Sequence, residues 1–126
     1  MAKSQRRSVK KETGKKYAKD RKKRKKELSR PAGLTKVSDK NKVKKVRTLG
    51  GNFKNRAMQA GSIIILENKK KVNAKIIRVV KNPANRHFVR MNVITKGAII
   101  ETDKGNVKVT NRPGQEGHVQ GILIKE

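Results

Sequence analysis

The sequence predicts an all-β protein: a small antiparallel β-barrel with a long basic N-terminal extension that is disordered, or partly helical once bound to a partner. Three observations carry this expectation. Residues 43–126 hold 32 apolar side chains, 20 of them valine or isoleucine, and β-branched side chains are stiff at χ1 and fit a pleated, half-buried surface. Apolar and polar residues alternate with period two in several of these runs, and clusters of turn-forming residues separate them. Residues 1–42, by contrast, hold only nine apolar side chains. That is too few to offset a backbone ordering cost of roughly 1 to 2 kcal/mol per residue. The chain therefore divides into an extension, residues 1–42, and a barrel domain, residues 43–126.

Strands are expected near residues 43–49, 53–58, 62–67, 71–81, 86–95, 98–103, 106–111 and 118–125. Gly50-Gly51-Asn52 separates the first two. Ile63-Ile64-Ile65-Leu66 is the longest unbroken apolar run and marks the third. In the fourth, Val72, Ala74 and Ile76 alternate with Asn73 and Lys75. The phase then changes at Ile76-Ile77, which places Ile77 and Val79 on the other face through a β-bulge, or marks a strand buried on both faces. Asn82-Pro83-Ala84-Asn85 reads as a hairpin turn into the fifth strand, where Val89, Met91 and Val93 alternate with Arg90 and Asn92. Asp103-Lys104-Gly105-Asn106 turns the chain into the seventh strand, with Val107 and Val109 flanking Lys108, and Arg112-Pro113-Gly114-Gln115 is a further turn. Short strands at this spacing without intervening helical segments point to a barrel.

Charge dominates the functional reading. Lys and Arg total 36 against 9 Asp and Glu, a net charge of +27. Residues 1–42 carry 18 cations and 4 acids, a net +14, and residues 43–126 carry 18 and 5, a net +13. A compact chain with that self-repulsion calls for a polyanion, foremost nucleic acid. Cysteine is absent, which removes disulfide scaffolds, cysteine-ligated zinc and thiol catalysis. The longest apolar run is far shorter than the ~20 residues of a membrane-spanning helix or the ~7 to 15 of a signal-peptide core. A soluble protein that stays in the cytoplasm, with no membrane partner, is expected.

Within the extension, Arg21, Lys22, Lys23, Arg24, Lys25 and Lys26 are six consecutive cations, preceded by Arg6, Arg7, Lys10, Lys11, Lys15 and Lys16 and followed by Arg30. Like charges at i and i+4 oppose a helix in isolation. Phosphates reverse that, and Glu12 to Lys16 and Asp20 to Arg24 are correctly oriented pairs for a helix from about Lys15 to Ser29 on a polyanion, ended by Arg30-Pro31. A solubilising tail needs a net charge of only about 2 to 8. A nuclear-localisation signal fits the run of charge too, but leaves the +13 of the barrel domain without a purpose.

Tyr17, Phe53 and Phe88 are the only aromatic residues, too few for the stacking platform of single-strand readers. Recognition is expected through phosphates, sugar hydroxyls and shape. Gly50, Gly51 and Asn52 allow a close backbone approach, with Arg47, Lys54 and Arg56 at hand for phosphate oxygens. The plain alternative is a glycine turn between strands. Arg112 and Gln115 frame a second turn with the same two readings. Duplex DNA remains an alternative on charge, although no dimerising helix accompanies it, so an architectural DNA-binding protein ranks behind an RNA binder. Nothing suggests an enzyme: His87 and His118 lie far apart, without a zinc or general-base pattern. Glu101 and Asp103 share a strand face and could form a carboxylate pair or hold Mg2+, but read more simply as solvated charges beside a turn, paired with a neighbouring lysine. No cofactor, metal or small-molecule substrate is expected.

Several strings together resemble the archaeal and eukaryotic family of small-subunit ribosomal protein number eight, the e-type S-eight family. They are Glu27-Leu28-Ser29-Arg30-Pro31-Ala32 with Thr35-Lys36; Arg47-Thr48-Leu49-Gly50-Gly51-Asn52 leading to Arg56-Ala57; Arg78-Val79-Val80 with Asn82-Pro83-Ala84-Asn85; Val89-Arg90 with the run Ile94 to Thr102; and Arg112-Pro113-Gly114-Gln115 with Gly117. They run in the family's order from about residue 6 to the C-terminus. The resemblance implies a structural ribosomal protein, a small barrel seated on small-subunit ribosomal RNA beside other subunit proteins, with the basic extension threaded between RNA helices. A ribosome-assembly factor of the same fold is the variant reading. The short link between Glu101 and Arg112 resembles the archaeal form. Ser29 stands where the family usually has Gly, Gly33-Leu34 replaces a more polar pair, and Leu49 replaces an Arg. The resemblance implies RNA-facing roles for Arg30, Arg47, Gly50, Gly51, Asn52, Arg56 and Arg112.

Overall fold

The structure, a computed structural model, describes residues 4–22, 24–29, 31–67 and 70–124. The chain divides into two compact units, Met1–Ala32 and Gly33–Glu126. The second takes in residues 33–42, because the strand β1 (Thr35–Val37) pairs into it.

The second unit is built almost wholly of strands: β1, then β2 (Lys42–Arg47), β3 (Phe53–Ala60), β4 (Ser62–Glu67), β5 (Lys70–Lys81), β6 (Val93–Ile94), β7 (Ile99–Thr102), β8 (Gly105–Val109) and β9 (Gln120–Leu123). Strands β4-β5-β7-β8-β9 close into a barrel, and β2-β3-β1-β6 form a four-stranded sheet. All barrel pairs are antiparallel except the closing one, β4 with β9, which is parallel. An odd ring cannot alternate direction all the way round, so a five-stranded barrel must contain such a pair. Inside it lie Ile63, Ile65, Ala74, Ile76, Val79, Ile100, Val107, Val109 and Val119, all essentially inaccessible to water. Burial of each valine or isoleucine is worth about 1.5 to 3 kcal/mol.

The expected bulge is present. Ile76 pairs with Thr102 and Arg78 with Glu101, so Ile77 is the extra residue on β5. Its effect differs in detail from the expected one: Ile77 is turned out to solvent, while Val79 returns to the same interior as Ile76. The turn at Asp103-Lys104 also stands, since Thr102 pairs with Gly105 across it. Gly121 lets β9 lie close to β8: a Cβ there would sit 2.6 Å from the Lys108 carbonyl oxygen and 2.6 Å from a Val107 methyl.

Two expectations fail, and a third is refined. Residues 86–95 are not one strand; they form a short helix, α1 (His87–Arg90), followed by the two-residue β6, and β5 pairs with β7. The Asn82–Asn85 segment is therefore not a hairpin turn. The Asn85 side chain accepts the His87 N–H at 2.9 Å, and buried Asn82 donates to the Val93 carbonyl at 3.0 Å while accepting from Ala84 N–H and the Thr95 hydroxyl. These bonds fix a loop where a strand ladder would have had to run. Alternation of residues 89, 91 and 93 did not discriminate, because positions 89 and 93 also share a helical face. The Arg112–Gln115 turn is likewise a helical turn, α2 (Pro113–Glu116), with Pro at its first position and Gly117 left-handed at its end.

Candidate nucleic-acid interface

Strands β2 and β3 form a hairpin in which Arg47 pairs with Phe53, Val46 with Lys54, Lys45 with Asn55 and Lys44 with Arg56. Alternation along paired strands puts Lys45, Arg47, Phe53 and Asn55 on one face and Lys44, Val46, Lys54 and Arg56 on the other. Between Asp39 and Glu67 the sequence has seven cations and no carboxylate. Among the described residues none of those cations forms a salt bridge. The hairpin is thus a ribbon with positive charge on both sides.

Its tip is Leu49–Gly51, a 3-10 turn in which Gly50 and Gly51 have φ of 74° and 77°. That backbone region is strained for side-chain-bearing residues, which explains the glycine pair. The turn is closed by Thr48, whose N–H and hydroxyl both donate to the Asn52 carbonyl, at 2.7 and 3.0 Å. The plain reading of this motif holds: it is a turn between strands, with Gly50, Gly51 and Asn52 exposed and Arg47, Lys54 and Arg56 in the strands on either side.

The second turn motif comes to the same place. Helix α2 packs on β3, and Lys54 Nζ donates to Gln115 Oε1 at 3.2 Å. Gly117 makes the close fit possible, since a Cβ there would stand 2.7 Å from the Asn55 Cβ. Arg112, preceding α2, is exposed. Arg56 is half-buried, and its Nε has no hydrogen-bond partner among the described residues. An unpaired buried donor costs free energy unless a further group accepts from it.

Within the first unit, Arg6, Arg7, Lys10, Lys11, Lys15, Lys16, Arg21, Lys22, Arg24, Lys25 and Lys26 are all exposed; Lys23 and Arg30 lie outside the described residues. The one helical segment described there is a 3-10 turn, Lys25–Glu27. Residues 9–17 fold back on themselves around Gly14, with Tyr17 N–H donating to the Val9 carbonyl at 3.0 Å. Arg7 and Lys11 stand 4.4 and 5.3 Å from the centre of the Tyr17 ring. Two carboxylates organise the rest: Asp20 accepts both Arg6 terminal nitrogens at 2.8 and 2.7 Å, and Glu27 accepts from Arg21. The Arg6 hydrogen bond holds the Asp20 carboxyl well below the usual carboxylate range, and the Arg21 hydrogen bond lowers that of Glu27.

Of the residues weighed for catalysis, Glu101, Asp103 and His118 have partners within the fold. Glu101 accepts from Arg78 Nε at 2.6 Å, an arginine partner rather than a lysine, and Asp103 accepts the Lys75 N–H at 3.1 Å. His118 lies against the Glu116 carbonyl at 3.1 Å, and His87 is exposed on α1. Among the described residues there is no group of three His, Cys, Asp or Glu able to hold a metal ion, and no helix long and apolar enough to cross a membrane.

Sequence reasoning missed Lys44, Lys45 and Phe53 as parts of this surface. The four cations of Lys42–Arg47 were the available signal for the lysines, but only the register places Lys44 opposite Arg56. Phe53, set aside as one of too few aromatic rings, keeps 59% of its surface in solvent.

The family model described as Ribosomal protein S8e matches residues 4–124. Among similar proteins are three named small ribosomal subunit protein eS8. That of Nanoarchaeum equitans is 46% identical over 115 residues, 90% of each chain. That of Methanococcus aeolicus is 47% identical over 123 residues, 94% of each chain. That of Sulfurisphaera tokodaii is 46% identical over 116 residues, 90% of this chain and 91% of its own.

Proposed function

The chain belongs to the ribosomal protein S8e family, and from that premise we propose that it is a structural, non-catalytic constituent of the small ribosomal subunit, held to ribosomal RNA through phosphate contacts. The β2–β3 hairpin and α2 form one anchoring surface, with Arg47, Gly50, Gly51, Asn52, Lys54, Arg56, Arg112 and Gln115 facing the RNA. Residues 1–32 act as an RNA-binding extension threaded into the same RNA, and the folded unit of residues 33–126 seats it. Its site of action is the cytoplasm, and its other partners are neighbouring proteins of the subunit.

The observation that carries this reading is the acid-free stretch between Asp39 and Glu67, which includes the whole β2–β3 hairpin and whose cations have no ion-pair partner among the described residues. Fields from such a surface attract phosphate, and each neutralised phosphate releases a counterion. Titration of the full chain with small-subunit ribosomal RNA at several salt concentrations tests it. With about ten phosphate contacts, log K should fall against log salt with a slope of about −7 to −9. A near-flat dependence, or preference for duplex DNA at equal phosphate concentration, would overturn the reading.

A further inference from the structure

We propose that Phe53 is a stacking site for one unpaired nucleobase, an inference that rests on the RNA-binding reading above and adds a named ligand to it. Phe53 is the most exposed of the three aromatic residues: it keeps 59% of its surface in solvent, Tyr17 keeps 40%, and Phe88 is half-buried. The exposure is set by position. Phe53 opens β3 opposite Arg47, at the end of the hairpin away from the buried Ala57 and Ala60. Leu49, in the adjoining turn, is 96% exposed. A strand end with a bare ring and a bare leucine, in a segment otherwise rich in cations, has no use as core.

The surroundings select the occupant. Lys45 Nζ stands 4.9 Å from the centre of the Phe53 ring, and Arg47 shares its face of the hairpin. A protein partner would have to offer an apolar surface and carboxylates together. A nucleotide supplies both requirements in one unit, a π-face for the ring and a phosphate for the cations. Gly51 has no heavy atom near the place a Cβ would occupy, so a sugar-phosphate backbone can come close to the turn. One ring accommodates one base, and ring stacking is tolerant of base identity. The site is thus a single anchoring point beside phosphate contacts.

The test uses the full chain and small-subunit ribosomal RNA purified from Methanococcus aeolicus. Phe53→Ala should weaken binding about 5- to 150-fold, the range found for removal of one base–aromatic stack. Its salt slope should stay at the wild-type value, because stacking releases no counterion. Phe53→Trp should bind like wild type. Phe53→Leu, which keeps an apolar side chain but no π-face, should lose nearly as much as alanine. Thermal unfolding of each variant should match wild type, since the ring lies outside the core. Phe53→Ala or Phe53→Leu binding within twofold of wild type would overturn the proposal while leaving the phosphate reading intact. A wild-type chain indifferent to the RNA would remove both. In reassembled small subunits, a benzophenone side chain at position 53 should crosslink to RNA; adducts to protein alone would also overturn the proposal.

Discussion

Lys54 on β3 and Gln115 on α2, 61 residues apart in sequence, meet in a 3.2 Å hydrogen bond. That contact turns two separate glycine-containing turns into one surface. It is exposed, so its own contribution to stability is small, about 1 kcal/mol or less. Its value is positional: it ties a cation of the hairpin to the turn that follows Arg112.

Removing charge from this surface should change the salt dependence as well as affinity. Lys54→Gln and Arg47→Gln should each reduce the magnitude of the log K against log salt slope by about 0.7 to 0.9, one phosphate apiece. Equilibrium titrations at graded salt check this. A slope equal to wild type would place those side chains away from phosphate.

The bulge on β5 predicts opposite outcomes for adjacent isoleucines. Ile76 is 4% exposed and Ile77 is 54% exposed. Ile76→Ala should destabilise the protein by about 2 to 5 kcal/mol through lost burial and a cavity, whereas Ile77→Ala should stay within about 0.5 kcal/mol. Urea unfolding midpoints measure both.

Closure of the barrel depends on Gly121. Gly121→Ala must move the Lys108 carbonyl or the Val107 methyl, and backbone cannot give way cheaply. A loss of about 1 to 3 kcal/mol is expected, read as a lower midpoint in urea with unchanged slope.

The first unit should respond to acid. The Asp20 and Glu27 carboxyls are depressed below their ordinary values of 3.8 and 4.5 by Arg6 and Arg21. A carboxyl depressed in the folded chain contributes stability above its unfolded value, and that contribution disappears as pH falls through the folded value. The Arg6–Asp20 and Arg21–Glu27 pairings should therefore be unaffected at neutral pH and loosen only in acid, below about pH 4. Carboxyl carbon titrations by NMR should show the Asp20 midpoint below 3.8; an ordinary midpoint would mean that the Arg6 pair does not persist in solution.

Much of the barrel was legible because burial writes a period of two. Val72 to Ile76 and Val107 with Val109 announced their strands in this way, the unbroken run Ile63 to Leu66 announced another, and the phase change at Ile76-Ile77 offered the bulge as one of two outcomes. Residues 86–95 were not legible, because a short apolar alternation is ambiguous and the deciding bonds come from Asn82 and Asn85. Strand β1 was invisible at three residues, with Thr35 buried through a hydrogen bond from its hydroxyl to the Ala57 carbonyl at 2.6 Å. The cations of the candidate interface could be read individually, but their pairing could not. Lys44 opposite Arg56 is a fact of register, and Lys54 beside Gln115 is a fact of tertiary packing.

The parallel seam between β4 and β9 has a consequence for synthesis. The strand that seals the ring is the last of its five to leave the exit tunnel, so β4 waits with an open edge while roughly fifty residues are still being made. The hairpin of β2 and β3 emerges earlier, and its local pairing needs nothing downstream. The nascent chain can present its positive ribbon before its hydrophobic interior is shut.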